Sequence, residues 1–279
     1  MAESQEELEK KITALWEGRD DLFSVLPESD ARAAVLQAVE LLDTGEARVA
    51  ELVGDEVVVH EWLKYAVLLL FRISHMETTE LGPFEYADKL PLKHGYKEAG
   101  VRVVPGASAR FGAYLAPGVI MMPSYVNIGA HVDSGTMVDT WATVGSCAQI
   151  GADVHLAGGV GIGGVLEPLG ARPVIIEDGA FIGSRAVIVE GVIVGEQAVI
   201  APQVVLSATV PIIDVTGPEP VEHRGHVPPR SVVVPGTRPK EFPAGTYQLS
   251  CALIIGQRKE STDLRTSLND ALREYGVGS

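Results

Sequence analysis

Residues 120–162 read IMMPSYVNIGAHVDSGTMVDTWATVGSCAQIGADVHLAGGVGI, with a branched aliphatic at every sixth position: Ile120, Val126, Val132, Val138, Val144, Ile150, Leu156 and Ile162. After an interruption the ladder resumes as Ile176, Ile182, Ile188, Val194, Ile200 and Leu206. An amphipathic helix repeats about every 3.6 residues and a half-buried strand about every two, so neither produces a period of six. That period is the mark of a β-solenoid in which each hexad supplies one short flat side of a coil.

The other hexad positions agree. Behind the aliphatic stands a residue suited to a corner (Asp133, Asp139, Gly145, Gly151, Ala157, Gly163, Gly183, Gly195), and Gly and Asp accept unusual backbone angles better than most residues. Four residues after the aliphatic comes a small or branched one: Ser124, Ala130, Thr136, Ala142, Ala148, Val154 and Val160, then Ala180, Ala186, Val192, Ala198 and Val204. One large and one small side chain per side fill a triangular coil. A sandwich or barrel would show alternation and turns of uneven length instead. From Ile162 to Ile176 is fourteen residues, two hexads plus two. The segment 167–173 is therefore expected as a loop extruded from one corner, and loops on rigid scaffolds commonly carry binding residues.

Outward from the ladder, three parts are expected: a mainly helical segment over 1–100, the coil over 101–235 with loops at 167–173 and 211–229, and a strand and helix over 236–279. Gln5 to Trp16, Asp30 to Leu42 (with Asp30 as N-cap) and Trp62 to Phe71 read as helices, and Ala47 to Val59 as a hairpin turning near Gly54 and Asp55. Thr246 to Ile255 reads as a strand, and Asp263 to Tyr275 as a closing helix. Exposed coil faces and ends need cover. Three coils packed side by side would supply it, so a cyclic homotrimer with sites between subunits is expected.

The chain has 279 residues, 46% of them hydrophobic, enough for a large core. Its longest apolar run, Tyr65 to Phe71, is too short to span a bilayer. The charged amino terminus argues against a signal peptide. Two cysteines, Cys147 on a coil side and Cys251 in a strand, form no disulfide framework, which fits a cytoplasmic protein. A net charge of −15 argues against nucleic acid or an anionic membrane as partner. An anionic small molecule is still admissible if arginines are concentrated at its site.

The stretches Met122 to Ala130, Gly135 to Gly151, His155 to Pro168 and Val189 to Val194 resemble the tetrahydrodipicolinate N-succinyltransferases of the hexapeptide-repeat transferases; so do Trp62-Leu63-Lys64, Ala66 to Leu69 and Val101 to Pro105. The resemblance covers most of the chain. It implies a mainly β fold, a left-handed parallel β-helix with a helical N-terminal domain and a short C-terminal extension. It also implies a homotrimer that moves succinyl from succinyl-CoA to the amino group of tetrahydrodipicolinate, in its open form L-2-amino-6-oxopimelate, on the succinylase branch of lysine and diaminopimelate biosynthesis. Succinyl-CoA is then a co-substrate, with no permanently bound cofactor.

An amine attacking a thioester must lose a proton, and a carboxylate within reach can accept it. Asp139, at the corner after Val138, matches the family position that contacts the acceptor's amino group; by itself it would equally suit a turn. Arg102 matches a substrate-binding position, and Arg185, behind the Gly183-Ser184 corner, is a second guanidinium for the acceptor's carboxylates. Glu190 is a second catalytic carboxylate candidate, or a solvent-facing corner residue. Relatives often carry an acid where this chain has Val187. Gly158, Gly159, Gly163 and Gly164 permit close approach of the donor's pantetheine arm, or are simply tight corners. Lys240 (with Arg238 nearby) is the candidate for its anionic nucleotide end. No phosphate-loop or dinucleotide motif occurs, and His223 with His226 lacks the partners of a metal site. Two further readings stand beside succinyl transfer: an acetyl-transferring hexapeptide enzyme with a histidine base, for which His131 and His155 are available, and a non-enzymatic or metal-binding β-helix.

Overall fold

A computed structural model describes residues 4–54 and 56–258. The expected closing helix, Asp263 to Tyr275, lies outside the described residues.

Two-residue strands alternate with four-residue corners and stack in three parallel sheets. The result is a left-handed parallel β-helix of triangular section. The first face carries Arg102–Val103, Ile120–Met121, Met137–Val138, His155–Leu156, Phe181–Ile182 and Val199–Ile200. The second carries Ser108–Ala109, Tyr125–Val126, Thr143–Val144, Gly161–Ile162, Val187–Ile188 and Val205–Leu206. The third carries Tyr114–Leu115, His131–Val132, Gln149–Ile150, Ile175–Ile176, Ile193–Val194 and His226–Val227. In each pair the second side chain points to the axis. Val132, Val138, Val144, Ile150, Leu156, Ile182, Ile188 and Leu206 are all fully buried in one continuous core, with Ala130, Ala142, Ala148 and Ala186 packed between them.

The ladder differs from the expected phase at its start. Met121, not Ile120, is fully buried at the axis, and Ile120 stands in the outward row beside Arg102 and Met137. The corner Met122-Pro123-Ser124 is one residue shorter than the others, so the spacing from Met121 to Val126 is five. Inward positions before it are Ala109 and Leu115, in phase with Met121.

The break after Ile162 also has a different arithmetic. Gly161–Ile162 on the second face is followed directly by Ile175–Ile176 on the third. One corner has thus grown by eight residues, and no coil side is spent in it. Lys64 Nζ donates to the Ala171 carbonyl at 2.6 Å, and Arg172 Nε donates to the Gly191 carbonyl at 2.7 Å, which fasten this loop on both sides. Cys147 occupies a corner with φ 67°, not a coil side, because its position follows the strand by three residues.

The N-terminal part contains α1 (Gln5–Glu17), α2 (Leu22–Val25), α3 (Glu28–Thr44) and α4 (Glu61–Ile73), with a hairpin of Ala50–Val53 and Glu56–Val59 between the last two. Helix α1 starts on a capping box made by Ser4 and Glu7. Asp30 is not a cap: α3 begins behind Pro27, and Asp30 lies in its first turn, where a negative charge favours the helix dipole. Leu8, Ile12, Val35, Val39, Leu63, Val67 and Leu70 form a second core, which closes against the coil through Ile128 and Cys147. A further hairpin, Glu77–Leu81 with Phe84–Asp88, projects with nearly every residue exposed.

At the other end Ser231–Phe242 and Gly245–Gln257 form one long antiparallel hairpin, so position 235 falls inside a strand. Within 211–229 the chain is more regular than expected of a loop. Ile212–Asp214 pairs with Val221–His223 and with the long hairpin, and His226–Val227 completes a coil side.

Candidate active site

Three sides of six residues make a coil of eighteen, so residues eighteen apart share an edge. Counting this way, and allowing for the eight-residue insertion, sorts the candidates. Trp141 N–H donates to Pro123, Gly159 N–H to Thr140, Arg185 N–H to Gly158 and Gln203 N–H to Ser184, each through a backbone bond of 2.7 to 3.1 Å that ties one corner to the coil before it. Asp139, Gly158, Gly159 and Arg185 therefore line one edge of the prism, between its first and second faces. Arg102 opens the first face two strand steps before Met137, about 10 Å along the coil axis at some 4.8 Å per step, and Asp139 lies two residues past Met137. It is exposed.

Asp139 is held at its corner by local bonds. Its Oδ1 accepts the Thr140 N–H at 2.6 Å and the Thr140 hydroxyl at 3.2 Å, and its Oδ2 stands 3.5 Å from His155 Nε2. Partial burial opposes ionisation, but the Thr140 backbone bond, then His155 and the Thr140 hydroxyl, outweigh it and hold the carboxyl below its usual range. It is a carboxylate at neutral pH. On the same edge the Trp141 ring is 75% exposed. Arg185 has φ 59°, and a Cβ built on Gly159 would lie 3.2 Å from its Cγ, so glycine there gives the arginine stem its room.

Glu190 is on the next edge, between the second and third faces. Its Oε2 accepts the Ala208 N–H at 3.2 Å, and it is exposed. Gly163, Gly164, Glu167, Pro168, Arg172 and Glu190 line a cleft of about 450 Å³ beside the extruded loop. So the structure brings Gly163, Gly164 and Glu190 together, and separately Asp139, Gly158, Gly159 and Arg185, but does not bring the two carboxylates to one edge of one chain. Lys240 lies apart from both, in the terminal hairpin with its ammonium 5.5 Å from the Phe242 ring centre. Val187, where relatives were expected to carry an acid, points outward from the second face and is 38% exposed.

Of the histidines, His131 is buried against Tyr114, and burial, reinforced by Arg48, lowers its pKa to about 4. It sits on the third face, away from Asp139. Among the described residues no group of three or more His, Cys, Asp or Glu is placed to hold a metal ion, and no helix is long and apolar enough to cross a membrane. Sequence reading did not connect His155 with Asp139, and the signal was available. His155 is eighteen residues after Met137, so the two share an outward row, and Asp139 opens the corner beside it.

A left-handed β-helix built of hexads is the architecture of the hexapeptide-repeat transferases. The family profile described as "Tetrahydrodipicolinate N-succinyltransferase N-terminal" matches residues 7–73, and "Hexapeptide repeat of succinyl-transferase" matches residues 173–208. The 2,3,4,5-tetrahydropyridine-2,6-dicarboxylate N-succinyltransferase of Bordetella pertussis is 52% identical over 274 residues, covering 96% of this chain and 98% of the relative. Proteins of the same name from Aeromonas hydrophila and Methylorubrum extorquens are 51% and 49% identical, covering 96% and 97% of this chain and 98% and 99% of their own. Among solved structures, a Campylobacter jejuni protein provisionally described as a 2,3,4,5-tetrahydropyridine-2-carboxylate N-succinyltransferase superposes with a TM-score of 0.51 at 17% identity, over 80% of this chain and 62% of that one. This last likeness concerns the fold. The chain belongs to the tetrahydrodipicolinate N-succinyltransferase family.

Proposed function

We infer that this chain transfers the succinyl group of succinyl-CoA to the amino group of tetrahydrodipicolinate, taken as L-2-amino-6-oxopimelate. The products are N-succinyl-2-amino-6-oxopimelate and CoA, in the lysine and diaminopimelate pathway. What carries the reading is near-full-length identity of about half to relatives of that name, combined with a carboxylate pinned on an open edge of the coil.

The chemistry follows from the edge. The neutral amine attacks the thioester carbonyl, and its nitrogen becomes strongly acidic as the new C–N bond forms. A carboxylate of low pKa is then base enough, and Asp139 takes the proton on Oδ2, since Oδ1 is occupied by Thr140. The C–S bond breaks, and the departing thiolate takes up the proton. Arg102 and Arg185, before and beyond Asp139 along the coil, bind the acceptor's two carboxylates as guanidinium forks. Gly158, Gly159, Gly163 and Gly164 expose backbone to the pantetheine arm, and Lys240 meets the nucleotide end. Glu190 assists as a second carboxylate from a neighbouring chain.

This last role requires a homotrimer with the site between subunits. The outward Trp141, Val187 and Val205, 75%, 38% and 47% exposed, support it, because apolar groups along a coil call for cover by a second copy. Two free cysteines and the biosynthetic role fit a cytoplasmic location.

A thiol-release assay with the tetrahydrodipicolinate acceptor tests the reading. Succinyl-CoA is expected to be turned over far faster than acetyl-CoA, and comparable rates would overturn the donor assignment.

A further inference from the structure

The His155 imidazole sits in the outward row of the first face between two apolar neighbours. Met137 pairs with it from the preceding coil and Phe181 from the next, the Phe181 ring centre lying 5.1 Å away at 49°. Nε2 is buried and has no hydrogen-bond partner among the described residues, while 31% of the side chain is still open. The edge of the ring that bears Nε2 is therefore turned inward, where Asp139 Oδ2 stands 3.5 Å away.

A bare nitrogen lone pair facing a carboxylate at that distance is repulsive, and a buried ring nitrogen left unpaired costs about 1–3 kcal/mol. Both penalties vanish if Nε2 carries the proton. The arrangement is one small movement away from a charge-assisted hydrogen bond, and apo geometry of catalytic groups is commonly this loose.

We propose that His155 is the positioning residue of Asp139, presenting Nε2–H to Oδ2 so that one lone pair of that oxygen is fixed and the other is aimed at the acceptor amine. This rests on Asp139 being the proton acceptor. Thr140 fixes the first oxygen of the carboxylate and His155 the second, so the carboxylate cannot turn about its Cβ–Cγ bond. The imidazole itself takes no proton from the substrate: the N–H it uses stays on Nε2 throughout, and the proton from the amine passes to Asp139. In this respect His155 differs from a histidine base, whose inward nitrogen would have to be unprotonated.

The test uses the full-length enzyme in its native assembly. His155→Phe keeps a ring between Met137 and Phe181 but removes the donor, and His155→Gln restores an N–H of similar reach. His155→Phe is expected to lower kcat about 10- to 100-fold, the loss of one hydrogen bond to a charged group, with KM for succinyl-CoA unchanged. His155→Gln should recover part of the loss. Ring 15N NMR of the wild-type enzyme should show His155 as the Nε2–H tautomer or the imidazolium. Wild-type kcat in His155→Phe, or an Nδ1–H tautomer, overturns the proposal. If His155→Phe does not fold, the tautomer decides alone. Asp139→Asn separates the two readings. If it is inactive while His155→Phe is unimpaired, the His155 role alone falls; if it turns over normally, the Asp139 reading falls and takes this inference with it.

Discussion

Lys64 on α4 is fully buried, and its ammonium donates to the carbonyl of Ala171, 107 residues away, at 2.6 Å. Burial lowers its pKa, with Cys147 and Glu61 pulling the other way. A buried cation satisfied by one loop carbonyl is a tether. It pins the extruded loop, and with it the cleft holding Gly163, Gly164 and Glu190, to the helical domain.

Lys64→Met keeps the length and apolar stem of the side chain while leaving the Ala171 carbonyl unpaired. It should cost about 2 kcal/mol of stability and raise KM for succinyl-CoA more than it lowers kcat. Urea unfolding and steady-state kinetics check this, and an unchanged KM would separate the loop from donor binding.

The shortened corner at Met122-Pro123-Ser124 makes neighbouring residues unequal. Met121→Ala opens a cavity at the axis and should cost about 2–5 kcal/mol, whereas Ile120→Ala, in the outward row, should cost about 1 kcal/mol. Urea midpoints of the two variants give the order directly, and the reverse order would place Ile120 on the axis.

His131 gives the fold a pH dependence of definite sign. Its folded pKa is about 4 against 6.5 for the free group, so the unfolded chain binds the extra proton between these values. Stability attached to His131 is complete above pH 6.5 and is lost as pH falls toward 4, by about 3 kcal/mol in all. His226, also lowered by burial, adds a term of the same sign. His131→Phe should flatten this slope, as judged from urea unfolding at pH 7 and pH 5; an unaltered slope would contradict the neutral buried state.

The coil is legible because one large and one small side chain in every six must fill the axis, a constraint that neither a helix nor an ordinary strand imposes. Its exceptions were hidden where two apolar residues adjoin: Ile120 and Met121 both satisfy the hexad by composition, and only the length of the following corner decides between them. The hairpin Glu77–Leu81 with Phe84–Asp88 gave no signal because neither of its faces is buried within the chain. Asp139 and Arg185 could be named as candidates one by one, but their sharing an edge depends on counting coils of eighteen across an insertion of eight. The assignment of Glu190 to another edge follows from the same count. The link between His155 and Asp139 is hidden because Asp139 is the first residue past the neighbouring strand Met137–Val138, diagonal to His155 and not opposite it, a relation that hexad spacing alone does not express.

The proposed reaction depends above all on proton transfer from the attacking amine to the carboxylate on the first edge of the prism. Asp139→Asn preserves the side-chain shape and an oxygen for Thr140 while removing the base, so kcat for CoA release from succinyl-CoA in the presence of tetrahydrodipicolinate measures it most directly. A fall of about 100-fold or more is expected, with urea stability and KM for succinyl-CoA near their wild-type values. Turnover within about threefold of wild type, under half a power of ten in rate, would contradict it.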